Sequence, residues 1–214
     1  MLRTIQTFEL FTILIVIGIA FIAVAKSLFP RRFNDFVYVL GNSKYLKIYA
    51  REQKFFDRFD ALLFVNLILS LSIFGFIYLK LSNQVFAPTI DVIFKLTIGI
   101  GIFILIKVLL ERLIGSLFEI DKLIDQYLFQ KISYKNFIGL FLVPVNLILL
   151  FSITPSLIIL YIIIFLLLVV NIMGLITTIK THQSLIKRNL FYFILYLCTL
   201  EIAPYIILYK VFNS

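Results

Sequence analysis

Residues 157–179 read Leu-Ile-Ile-Leu-Tyr-Ile-Ile-Ile-Phe-Leu-Leu-Leu-Val-Val-Asn-Ile-Met-Gly-Leu-Ile-Thr-Thr-Ile, twenty-three positions without a charged side chain, closed by Lys180. A helix needs roughly 20 mostly apolar residues to cross a ~30 Å hydrocarbon core, and this run meets that demand. Working outward, Thr154-Pro155-Ser156 separates it from a second apolar run, and a polar stretch at 180–189 separates it from a third. Extended to the whole chain, the same reading predicts six spans: Phe8–Ala25, Ala61–Leu79, Ile90–Leu110, Phe137–Ile153, Leu157–Ile179 and Leu190–Leu208. The fold class is therefore all-α, one polytopic integral membrane domain over residues 1–214.

Composition agrees. Of 214 residues 62% are apolar and 14% charged. Soluble domains are about 25% charged, so a soluble enzyme, a disordered chain and a compact nucleic-acid module are all excluded. A single cysteine, Cys198, excludes an internal disulfide framework and a cysteine-based zinc site. Ala23-Val24-Ala25 resembles a signal-peptidase site. The length of the run before it and the cations Lys26, Arg31 and Arg32 just after it favour retention as the first span.

The net charge of +9 is distributed on one side. Lys26, Arg31, Arg32, Lys44, Lys47, Arg51, Lys54 and Arg58 lie between the first two spans. Arg112, Lys122, Lys131 and Lys135 follow the third, with Lys107 just before them, and Lys180, Lys187 and Arg188 follow the fifth. Cytoplasmic loops collect Lys and Arg, so this pattern predicts both termini on the non-cytoplasmic side.

Two connections are predicted to be amphipathic. In 42–60, with Asn42 or Ser43 as cap, Lys44, Lys47, Arg51, Lys54 and Arg58 fall within roughly an 80° arc at helical spacing. Tyr45, Ile48, Tyr49, Phe55, Phe56 and Phe59 occupy the neighbouring arc. A cationic stripe beside an aromatic one suits a helix at the surface of an anionic inner leaflet. The same face also suits packing against the protein's own helices or a membrane protein partner, and no nucleic acid is expected. In 111–136, Glu119, Asp121 and Asp125 sit among apolar residues, and these acids are expected to face the cations of the first loop. Such exposed pairs are worth ~0–1 kcal/mol each.

Ionisable groups inside spans are candidate functional sites. Glu201 lies about 18 Å inside the last span at a rise of ~1.5 Å per residue. Lys95, near the opposite edge of the third span, is within reach of it if those two spans touch. Pro204 removes the donor to the carbonyl of Leu200 and predicts a kink beside Glu201. Nearer the inner edge lie Asn66, Lys107, Asn171 and Tyr192, read as interhelical hydrogen-bond partners or as the lining of one cavity. Lys107 has Glu111 one turn on, and reads as half of a local pair or as a snorkelling side chain. Asn146, after Pro144, serves either a broken helix or a packed kink. No phosphate-binding glycine loop and no metal-spaced histidine pair are present; the lone His182 reads as a loop residue, and neither metal nor cofactor is expected.

The run Asn189–Pro204, with the string FYFILYLCTLEIAP, resembles the C-terminal signature of a bacterial family of small integral membrane proteins catalogued as a domain of unknown function. Lys107, Gly115 and Phe118 are also similar to that family. The resemblance implies a bacterial cytoplasmic membrane protein, implies no activity, and groups Tyr192, Tyr196, Cys198, Thr199, Glu201 and Pro204 as one unit. The leading expectation is a non-enzymatic scaffold or assembly component of an envelope complex. A small permease or channel-like subunit using Glu201 comes second, and a lipid-modifying enzyme third.

Overall fold

A computed structural model describes residues 6–41, 44–49, 57–82, 90–117 and 121–181. Seven α-helices follow in order: α1 (Gln6–Leu28), α2 (Pro30–Val37), α3 (Lys44–Tyr49), α4 (Arg58–Leu81), α5 (Ile90–Leu117), α6 (Asp121–Leu147) and α7 (Leu157–Thr181). A π-helical turn, Ile148–Ser152, extends α6. No strand occurs among the described residues.

Five of these helices are long and apolar enough to cross a membrane: Glu9–Leu28, Arg58–Leu81, Ile90–Leu117, Ile124–Ser152 and Leu157–Gly174. They match the first five spans expected from sequence; the sixth, 190–208, lies outside the described residues. Their burial orders them. Half of the most apolar window of α4 is buried against 11% of that of α7, so α4 is the centre of the described bundle. The apolar core between them is built by Phe11 and Ile15 of α1, Leu67, Ile73 and Phe76 of α4, and Ile138 and Leu142 of α6.

Helices α4 and α6 run parallel in one register. The Asn136 amide donates to the backbone carbonyl of Asp60 (3.3 Å), and the Asn146 amide donates to that of Ser70 (2.9 Å). Both bonds join residues 76 apart, so they are two rungs of one alignment about 15 Å apart along the axis. Gly139 lies between them, where a Cβ would sit 2.6 Å from the Leu67 Cα. Any larger side chain would push the two backbones apart. Asn146 is thus a packed contact, and the helix passes Pro144 without breaking before relaxing into the π-helical turn.

At the end where α1 stops and α4 begins, two short helices close the bundle. Pro30 takes the first position of α2, where its missing N–H costs nothing and its fixed φ suits a helix start. Phe33 and Phe36 of α2, Tyr45 and Leu46 of α3, Phe59 and Leu63 of α4 and Phe129 of α6 form a second core there. Phe36 meets Tyr45 and Phe59 edge-on at 5.5 and 5.7 Å.

Both amphipathic connections differ from expectation. One helix over 42–60 is not formed: Asp57 is extended (φ −93°, ψ 126°) and caps α4 by accepting from the Phe59 N–H. Lys44 and Lys47 therefore lie on α3 and Arg58 on α4, while Arg51 and Lys54 lie outside the described residues. Tyr45 and Phe59 are buried in the protein's own core instead of in lipid, because α2 and α6 offer them an aromatic enclosure. The polar segment 111–136 is not a separate helix either. Its first residues continue α5 to Leu117, and the rest begins α6, where Gln130, Ser133 and Asn136 turn inward.

Candidate functional site

Two buried assemblies of charged groups lie near the α2–α3 end. The first is centred on Arg32. Its guanidinium pairs with the Asp57 carboxylate and, through Nη2, with Oδ2 of Asp60 at 2.9 Å. Nε donates to the Tyr45 hydroxyl at 3.4 Å, and the charge lies over the rings of Phe59 (4.7 Å) and Tyr49 (5.1 Å). A planar fork with donors on several edges is what bridging two carboxylates requires, and lysine cannot reproduce it. Burial alone would favour a neutral guanidine. Tyr45, Asp60 and Asp57 outweigh it and hold the Arg32 proton more tightly than usual. Burial also pushes the Tyr45 phenol well up from its ordinary value, so it remains neutral. Tyr49 extends the assembly by donating to Asp35 at 3.4 Å. Chemically this is a clamp, with one cation tying α2 and α3 to the start of α4.

The second assembly joins α5 to α6. Glu111, 0% exposed, pairs through Oε1 with Lys131. Lys107 is buried one turn away on α5, and the Lys131 ammonium lies 5.5 Å from the Tyr127 ring centroid. The Glu111–Lys131 ion pair thus bridges α5 to the next helix. Asp125 approaches Arg112 at 3.8 Å with both side chains partly in solvent, and Asp121 is exposed. Of the acids of the second connection, Asp125 thus approaches a cation of α5, and Glu119 lies outside the described residues. Arg32 is saturated by Asp57 and Asp60 of its own connection.

Of the inner polar group, Asn66, Lys107 and Asn171 lie on three different helices, and Tyr192 lies outside the described residues. Asn66 is fully buried on α4 where α1 passes: a Cβ on Gly18 would lie 3.0 Å from its Oδ1, and neither amide atom has a partner. Asn171 donates to the Leu167 carbonyl of its own helix at 2.9 Å, the usual way a polar side chain satisfies itself in an apolar helix. It lines a groove of about 830 Å³ between α5 and α7, together with Lys95, Gly99, Lys135 and Ile138. Lys95 is exposed there. Glu201, Tyr192, Tyr196, Cys198, Thr199, Pro204 and His182 lie outside the described residues. No cluster of three metal-ligating side chains is found among the described ones.

The sequence reading missed Arg32, Asp57, Asp60, Glu111 and Lys131 as a site. One signal was available. Asp57 and Asp60, three apart at the start of an apolar run, form a helix-start pattern of a cap with an acid in the first turn.

Long apolar helices, a tightly registered central pair and ion pairs gathered at one end define a multi-pass helical membrane protein. Within that class the chain belongs to the family described as a domain of unknown function (DUF4271), whose model matches residues 11–212. No curated protein and no solved structure matches.

Proposed function

We propose that this protein is a non-enzymatic scaffold, an assembly component of a bacterial envelope complex, and that α2 and α3 form its docking platform. The observation that carries the reading is the use of the charges. Arg32, Asp57, Asp60, Glu111 and Lys131 are consumed in internal pairs that hold the ends of the helices together. Catalysis needs groups aimed at a substrate, whereas these groups are aimed at one another. The clamped platform turns Arg31, Asn34, Val37, Tyr38 and Ile48 outward, and Tyr38 is 70% exposed. An exposed aromatic beside aliphatic side chains and a cation is the composition of an interface centre. On this reading the platform faces the cytoplasm, where the one-sided lysines and arginines place it, and Lys26 and Arg31 meet anionic lipid headgroups. Crosslinking with mass spectrometry in native membranes tests the reading. Val37→Asp and Tyr38→Asp should abolish a recurring protein crosslink without lowering the amount of protein in the membrane. An unchanged crosslink map would count against the platform.

A second reading, a small permease or channel-like subunit, draws on the α5–α7 groove and on the buried amides of Asn66, Asn136 and Asn146. In it, Glu201, outside the described residues, is the carboxylate that transport would use. Proteoliposomes showing pH-sensitive flux that Glu201→Gln removes would favour transport over scaffolding.

A further inference from the structure

The groove between α5 and α7 begins at the end of the bundle opposite α2 and α3. Leu79, near the end of α4, and Val92 and Lys95, near the start of α5, line it there. Centred in a membrane, α5 (28 residues, about 42 Å) overshoots a ~30 Å hydrocarbon core by about four residues at each end. Lys95 then lies at the hydrocarbon edge. From Lys95 the groove follows α5 past Gly99 and Phe103 to Ile104, about 14 Å deeper at a rise of ~1.5 Å per residue. That is close to the depth of one leaflet.

Lipid wets every outward helix face, so apolar walls alone single out nothing. Three features set this groove apart. It encloses about 830 Å³, within the range of sites that hold a small molecule. A Cβ on Gly99 would meet no other atom within 4 Å, so the α5 wall is open there. The charge is of one sign: Lys95 is exposed at one end, Lys135 of α6 stands deeper, and no Asp or Glu is among the described lining residues. Asp91, one turn before Lys95, is exposed and outside the lining. Asn171 spends an amide hydrogen on the Leu167 carbonyl and brings no charge.

We propose that the α5–α7 groove binds one acidic phospholipid, its phosphate paired with the Lys95 ammonium and an acyl chain laid along Leu96, Ile100 and Phe103 over Gly99. A net negative headgroup gains the lysine, whereas the ammonium of a zwitterionic one finds no carboxylate in the lining. The site uses no residue of the α2–α3 platform, so either proposal can fail without the other.

Native mass spectrometry of the full chain in mild detergent, titrated with phosphatidylglycerol or phosphatidylethanolamine of the same acyl chains, tests this. One phosphatidylglycerol adduct should form with an affinity about fivefold above that for phosphatidylethanolamine, the worth of one lysine near an anionic lipid. Lys95→Gln should abolish that preference. Lys80→Gln, which removes an exposed cation at the same end but outside the lining, should leave it intact. Gly99→Phe, whose ring would fill the open space, should remove the adduct of either lipid with helicity unchanged. The proposal is overturned if the wild type binds both lipids equally or binds neither, if Lys80→Gln acts like Lys95→Gln, or if the adduct survives in Gly99→Phe.

Discussion

Replacing Gly139 by alanine tests the central helix pair at its tightest point. The added Cβ would lie 2.6 Å from the Leu67 Cα, 2.9 Å from its Cβ and 3.1 Å from its backbone nitrogen. Carbon atoms rest about 3.5–4.0 Å apart, and none of these three atoms can rotate away, so α4 and α6 must separate by about 1 Å. That separation stretches the flanking rungs, Asn136 to the Asp60 carbonyl at 3.3 Å and Asn146 to the Ser70 carbonyl at 2.9 Å, beyond good hydrogen-bond length. Overpacking costs ~1–3 kcal/mol, and each interhelical bond in a membrane is worth ~0.6 kcal/mol. Less the ~0.5–1 kcal/mol that alanine gains in helix propensity, the expected loss is about 1–4 kcal/mol. Gly75→Ala on α4 is the control, since a Cβ there meets nothing within 4 Å. It should gain ~0.5–1 kcal/mol from the better helix propensity of alanine. The assay is reversible unfolding in mixed micelles, followed by far-ultraviolet circular dichroism. Equal stability of the two variants would refute the close parallel packing of α4 and α6.

The other expectations concern the ion pairs. Lys131→Ala leaves Glu111 buried without its countercharge and should cost ~3–5 kcal/mol in the same assay, whereas the double change Glu111→Gln, Lys131→Met should recover most of that loss. Arg32→Lys keeps the charge but cannot bridge Asp57 and Asp60; limited proteolysis should cut the α2–α3 connection severalfold faster than in the wild type. Arg112→Ala breaks a partly solvated 3.8 Å contact with Asp125 and should shift stability by less than ~0.5 kcal/mol.

The spans were legible because crossing a membrane makes a severe compositional demand, and five described helices meet it where the apolar runs predict. The ends of those helices were less legible. Charged residues were read as ending a span, yet α5 carries Glu111 and Arg112 within its length, and α6 takes in Lys131 and Lys135. A charge ends a span only when it must reach water, and Glu111 and Lys131 satisfy each other inside the protein. The aromatic stripe was read as one face of one helix, yet Tyr45 lies on α3 and Phe59 on α4, and periodicity does not say what covers either. Phe36 and Phe129, far apart in sequence, enclose Tyr45. The same limit hid the clamp, since Arg32 of α2 meets Asp57 and Asp60 across 25 and 28 residues of chain.

The most direct measurement of the scaffold proposal is a photo-crosslinking amino acid placed at Tyr38, the most exposed aromatic of the platform, and activated in native membranes. A docking platform predicts one recurring protein adduct that Val37→Asp removes. Adducts to lipid alone, or none, would contradict it.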